Sequence, residues 1–255
     1  MSENIAFAPG SPCWVDLGAS DVGAAKDFYS ALFGWDFVAM PEREEYAVAH
    51  LRGAPVAGIG PATDDGLRWW TTYVAVRDAD LAAKLAVEAG GRLTAGPLEV
   101  FDHGRSAYLA DPAGAALAVW QAAGFAGAAV TGVPGTLCWS ELAVRDAGEA
   151  AAFYGRLFGW RGRKRPHPGG ASTYTDFDTG GRTVAGMVAM NEMWPEEIPA
   201  HWMVYFAVGD CDASCAKVAE LGGVVSVPPF DIETGRVAVV DDPDGAVFSI
   251  IALAG

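Results

Sequence analysis

The stretch CWVDLGASDVGAAKDFYSALFGW, residues 13–35, recurs as CWSELAVRDAGEAAAFYGRLFGW at residues 138–160. Each copy sets a tryptophan two residues ahead of a carboxylate, Trp14 with Asp16 and Trp139 with Glu141. Residues i and i+2 of a strand share a face, so indole and acid point the same way. Asp21 and Asp146 stand where a helix N-cap belongs, Phe28, Leu32 and Phe33 recur at helical spacing, and Gly34 or Gly159 supplies the stop. Each copy predicts a strand, a capped helix and a further strand.

Working outward, WTTYVAVRDADLAAKLAVEAGG from Trp70 matches WMVYFAVGDCDASCAKVAELGG from Trp202, again a strand, an Asp-capped helix and a glycine pair. GRSAYLADPAGAALAVW from Gly104 and GRVAVVDDPDGAVFSII from Gly235 follow. Asp-Pro-x-Gly is turn chemistry, with proline fixing one φ and glycine permitting a positive one, so two strands meet there. The chain reads as α+β: four βαβββ units in two pairs. Residues 1–122 form the first domain, 123–135 the linker and 136–255 the second domain.

At 255 residues, with 51% hydrophobic and 19% charged residues, the chain can fill two interiors. Its net charge of -15 repels phosphate backbones and anionic lipid, which argues against nucleic acid and membrane surfaces as partners. Residues 115–133 are apolar enough to suggest a membrane span, but they are rich in Ala and Gly, and the repeat divides them into a strand and a linker. The start MSENIAFAPG has no basic, then apolar, signal pattern, so the expected location is cytoplasmic. Cys13, Cys138, Cys211 and Cys215 lack zinc-knuckle spacing and read as buried free thiols.

The order of FYxxLFGW and DPxG signatures, from about Pro12 to Ala252, resembles the vicinal oxygen chelate superfamily, which includes glyoxalase I, extradiol dioxygenases and bleomycin resistance proteins. It looks most like two-domain actinobacterial members labelled glyoxalase-like or hydroxylase. That resemblance implies that each pair of units makes a curved mixed sheet, a cup with helices outside. It also implies metal ligands early in each unit's first strand and on the last strand. Those positions fall here on Trp14, Thr71, Trp139 and Met203, and on Ala118 and Ser249, none of them an imidazole or a carboxylate. The expectation is therefore no metal and no cofactor.

Asp16 and Glu141 are the candidate catalytic acids, suited to proton transfer if burial raises their pKa. Their rival reading is a structural ion pair with Arg105 or Arg236, which recur in the GR step. Candidate ligand-binding residues are Trp14, Thr71, Tyr73, Trp120, Trp139, Trp194, Met203, Tyr205 and His50. His103 and His201 read as exposed, and His167 carries no partner at ligand spacing. The basic run at residues 161–170 reads as a solvated turn, with an anion-attracting rim as its rival. Glycines of GAPVAGIG and GGRTVAGM read as hairpin and strand rather than as a nucleotide loop.

These features point to a protein, monomeric or homodimeric, that holds an apolar or aromatic small molecule without a metal. The expected setting is antibiotic biosynthesis, as a tailoring step, or self-resistance by sequestration. If it is an enzyme, it is an acid–base isomerase, cyclase or lyase. A metal-dependent lyase or dioxygenase, or a non-catalytic binding protein, are the alternatives.

Overall fold

A computed structural model describes residues 7–62, 68–166 and 173–254, except the side chain of Pro166. His167 and the end of the basic run lie outside the described residues. The first unit is β1 (Pro12–Ala19), α1 (Val22–Phe33), β2 (Asp36–Met40), β3 (Arg43–Leu51) and β4 (Ala54–Pro61). The second is β5 (Trp70–Ala75), α2 (Ala79–Glu88), β6 (Arg92–Val100), β7 (Gly104–Ala110) and β8 (Ala116–Ala122). The third is β9 (Leu137–Val144), α3 (Ala147–Phe158), β10 (Arg161–Pro166), β11 (Thr173–Thr179) and β12 (Arg182–Ala189). The fourth is β13 (His201–Ala207), α4 (Cys211–Glu220), β14 (Val224–Ile232), β15 (Gly235–Asp241) and β16 (Val247–Leu253).

Units pair in chain order. One eight-stranded sheet runs β2-β3-β4-β1-β5-β8-β7-β6 and the other β10-β11-β12-β9-β13-β16-β15-β14. Antiparallel pairing of β1 with β5 and of β9 with β13 joins the units at the centre of each sheet. All four helices start on the aspartates that the repeats mark: Asp21, Asp78, Asp146 and Asp210 each accept a backbone N–H from the first turn. Gly34 and Gly159, both at φ 72°, end α1 and α3 in the left-handed region that glycine adopts without strain.

Strand alternation divides each sheet into two faces. Val15, Leu17, Ala57 and Ile59 pack toward the helices, while Trp14, Asp16, Tyr46 and Tyr73 face the concave side. The helix-bearing faces meet across the molecule, with α1 beside α4 and α2 beside α3. At the centre Thr72 Oγ1 donates to Ser140 Oγ at 3.4 Å.

Each large hydrophobic cluster takes residues from both halves. One joins Phe28, Tyr29, Phe33 and Trp35 to Phe206, Val218 and Phe248; the other joins Ala82, Leu109 and Leu117 to Phe153, Tyr154 and Trp160. The segment after β8 is no free tether. Phe125 packs edge-on against Trp14 with ring centroids 4.9 Å apart, and the N–H groups of Ala128 and Ala129 donate to Cys13 and Pro55 carbonyls at 2.8 Å. All four cysteines are free, and burial pushes the Cys13 thiol far up and the Cys138 thiol up to about 12. Among the described residues no helix is long and apolar enough to cross a membrane.

Candidate functional site

The first sheet curves around a cavity of about 370 Å³. Trp14, Val48, Pro55, Trp120 and Phe125 make its apolar wall, and the turn at Met40 and Pro41 with Phe101 makes its rim. Asp16, in the middle of β1, brings a carboxylate to the floor. Tyr73 donates to Asp16 Oδ2 at 2.8 Å and Tyr46 donates to the same oxygen at 3.4 Å. Among the described residues none donates to Oδ1. Tyr73 and Tyr108 hydroxyls lie 2.9 Å apart, and with Tyr73 committed to the carboxylate, Tyr108 is the donor of that pair. Trp14 Nε1 donates to the Tyr46 hydroxyl at 3.3 Å. Two chains of donors thus end on one carboxylate oxygen, each link polarising the next.

Burial pushes the Asp16 carboxyl up to about 6, against the hydrogen bonds from Tyr73 and Tyr46 and the charge of Arg43, which all pull it down. Burial, and then the nearby Asp16 charge, hold the Tyr46, Tyr73 and Tyr108 hydroxyls above their ordinary range. These phenols stay protonated and act as donors.

The second cup repeats the scheme with different surroundings. Tyr205 donates to Glu141 Oε1 at 2.8 Å, and Trp139 Nε1 donates to the Tyr174 hydroxyl at 3.0 Å. Here the Arg165 guanidinium lies 4.2 Å from the Tyr174 ring centre and bonds Asp176 at 3.1 Å. Trp194 and Ile198 pack over Ala143, Tyr174, Val188 and Met190. In the described part of the basic run, Arg163 and Arg165 both pair with Asp176.

Of the residues expected from sequence, Trp14, Asp16, His50, Tyr73 and Trp120 meet at the first cavity. Trp120 Nε1 is satisfied by the Phe125 carbonyl at 2.8 Å, and His50 Nδ1 lies 3.1 Å from the Val48 carbonyl. Thr71 stands opposite Asp16 in register but does not line the cavity. Trp139, Glu141, Met203 and Tyr205 gather in the second cup, where Met203 is opposite Glu141 and Tyr205 opposite Trp139. Trp194 covers that cup from the long connection before β13.

Two expectations need correction. Arg105 and Arg236 do not serve the cup acids: Arg105 binds Glu99 and Asp80, and Arg236 binds Asp212 and Asp231. Arg105 adjoins Ser106, which faces the cavity, so alternation turns the guanidinium to the helix side. His103 is half-buried and lines the cavity instead of lying exposed.

Tyr46, Tyr108, Arg43 and Phe125 were missed. The repeat carried a signal for the first: Tyr46 and Tyr174 recur on matching strands, each crossing a glycine of the next strand. A Cβ on Gly58 would stand 1.9 Å from the Tyr46 hydroxyl, and one on Gly186 1.8 Å from that of Tyr174. Those glycines clear the path by which a tyrosine reaches the acid.

Among the described residues the metal implied by the fold family finds no matching donors. The ligand positions hold an indole engaged with Tyr46, a threonine and an alanine, and among the described residues no three His, Cys, Asp or Glu side chains converge. A lone carboxylate ringed by neutral phenols does not fit a divalent ion, which needs several anionic or imidazole ligands.

A sequence profile of the Glyoxalase/Bleomycin resistance protein/Dioxygenase superfamily matches residues 13–119 and 136–250. The anthracycline biosynthesis protein DnrV of Streptomyces peucetius is 40% identical over 266 residues, covering 97% of this chain and 94% of its own length. CFP32 of Mycobacterium bovis is 38% identical over 259 residues, with 98% of each chain covered. Among solved structures, the Mn(II)-bound glyoxalase from Novosphingobium aromaticivorans superposes with a TM-score of 0.66 at 14% identity, covering 96% of this chain and 83% of its own.

Proposed function

Because the chain belongs to the Glyoxalase/Bleomycin resistance protein/Dioxygenase superfamily yet the described residues offer no donor set suited to a divalent ion, we propose that its first cup binds a planar aromatic molecule and moves a proton on it with Asp16, without a metal. The observation that carries this reading is a carboxylate raised to about 6 on the floor of a largely apolar cavity of about 370 Å³. A base with that pKa is ionised at neutral pH but holds a proton more tightly than an exposed carboxylate, which suits general base catalysis. The name of DnrV, an anthracycline biosynthesis protein, supports a polycyclic aromatic guest and a place in secondary metabolism.

In this mechanism the aromatic wall holds the ring system flat, and Asp16 Oδ1 takes a proton from a carbon activated by a ring carbonyl. The electron pair moves onto the carbonyl oxygen as an enolate. Asp16 then returns the proton to the same or a conjugated carbon, giving exchange or isomerisation with no net change of oxidation state. Tyr73 and Tyr46 hold Oδ2 and fix the carboxylate plane throughout. Glu141, bonded by Tyr205, holds the matching position in the second cup, which Trp194 and Ile198 cover.

The test uses anthrone, a planar aromatic ketone with an acidic C–H, in D₂O at neutral pH. The wild-type protein is expected to speed deuterium entry at the methylene carbon, and Asp16→Asn to lower the catalysed rate by about 100-fold or more with an unchanged circular dichroism spectrum. A catalysed rate equal to wild type in Asp16→Asn removes the mechanism.

A further inference from the structure

Among the described residues that line the first cavity, Arg43 is the sole lysine or arginine. Its guanidinium carbon lies 5.6 Å from the Tyr46 ring centre, on the cavity side of β3. Three glutamates flank it in sequence, at 42, 44 and 45, yet none of the described carboxylates comes within ion-pair distance of it. The second half shows the contrast: Arg165 lies over Tyr174 in the same manner, but Asp176 neutralises it. In a chain of net charge -15, a cation with no carboxylate at ion-pair distance, standing at the mouth of an apolar cup, is a local attraction for an anion.

We propose that the first cup selects a planar aromatic guest bearing an ionised acidic group, a carboxylate or an acidic phenol, which pairs with Arg43 at the mouth while the ring system reaches Asp16 on the floor. This rests on the reading of the first cup as an aromatic binding site and adds the charge and orientation of the guest. The layout sets the polarity. Asp16, Tyr46, Tyr73 and Tyr108 occupy the floor, Arg43 the rim, and apolar side chains the space between. A flat anion enters with its ring first, because its charge is repelled by Asp16 and held by Arg43. The guanidinium fork presents two parallel N–H groups to a carboxylate, which fixes rotation as well as position. Arg43 is therefore a specificity-determining residue that touches the guest away from the reacting carbon.

The experiment compares two isosteric probes, anthraquinone-2-carboxylate and anthraquinone-2-carboxamide, by quenching of tryptophan fluorescence and by calorimetry at low salt. Wild-type protein is expected to bind the carboxylate about tenfold more tightly than the amide, with the ratio shrinking as salt rises. Arg43→Gln is expected to bring the ratio close to one, and Arg43→Lys to keep part of it. If Arg43 does not hold the charge of the guest, Arg43→Gln will leave the ratio as in wild type, and the proposal falls. Equal affinities in wild type also overturn it while leaving the aromatic site standing. Failure of both probes to bind overturns the site together with the proposal.

Discussion

Asp16 is placed where ionisation costs the fold something, and the sign of that cost is testable. Its carboxyl titrates near 6 in the folded protein against an ordinary value of 3.8, so the folded state holds the proton more tightly than the unfolded chain does. The stability this lends is full below the unfolded value and is lost as pH rises through about 6. Asp16→Asn carries no such titration. The stability of the variant relative to wild type is expected to climb between pH 4 and pH 7, by about 3 kcal/mol at most, measured by urea unfolding across that range. A constant difference would mean that Asp16 titrates alike in both states. Sequence reasoning found Asp16 and Trp14 because both lie in one repeated strand. It missed Tyr108 because it arrives from β7, and only strand register, unreadable from one sequence, sets it against β1; Tyr46 arrives from β3, and its recurrence as Tyr174 was the signal passed over. Arg105 was legible and misread: one residue from Ser106, it had to face the other way.

At the level of elements, the repeated motifs bond across the two halves. Tyr29 of α1 donates to Asp242 in the second half's Asp-Pro-x-Gly turn at 3.0 Å, and Tyr154 of α3 donates to Asp111 in the first half's turn at the same distance. Each phenol also accepts an indole N–H, from Trp70 at 3.1 Å and Trp202 at 2.9 Å. The tryptophans that close FYxxLFGW complete the exchange: Trp35 donates to the Gly135 carbonyl and Trp160 to the Gly10 carbonyl, both at 2.7 Å. Caps and turns were readable because their chemistry is local; which copy each tyrosine touches was not, since the pattern is equally compatible with contacts inside one half. Tyr154→Phe leaves Asp111 short of a donor and the Trp202 N–H without an acceptor in a buried site. It is expected to cost about 2–4 kcal/mol, read as a lower urea midpoint with unchanged slope, and Tyr29→Phe a similar amount. A loss under 0.5 kcal/mol in both would show that these bonds are marginal to the fold.

Across the whole molecule the halves are bound by more than these four hydrogen bonds. The cluster around Tyr29 needs Phe206 and Phe248 from the second half, and the cluster around Tyr154 needs Leu109 and Leu117 from the first. Neither sheet can leave without exposing the aromatic core of both, so separate unfolding would uncover far more apolar surface than two self-contained domains present. The cavity inherits this dependence: β1 and β5, which carry Asp16 and Tyr73, form the centre of the first sheet and bury their other face against the second half. Duplication thus supplies a support for the cup as well as a second cup, and the covering of the second by Trp194 and Arg165 shows the copies free to diverge on their concave faces while their helix sides stay matched. The intact chain is expected to unfold in one transition, with far-ultraviolet dichroism and tryptophan fluorescence coincident. Residues 1–130 expressed alone should bind a hydrophobic dye and lack near-ultraviolet structure, and mixing with residues 131–255 should restore both that structure and probe binding. A first fragment that melts cooperatively by itself and binds anthraquinone-2-carboxylate like the whole chain would show that the crossed clusters are not needed to shape the cup.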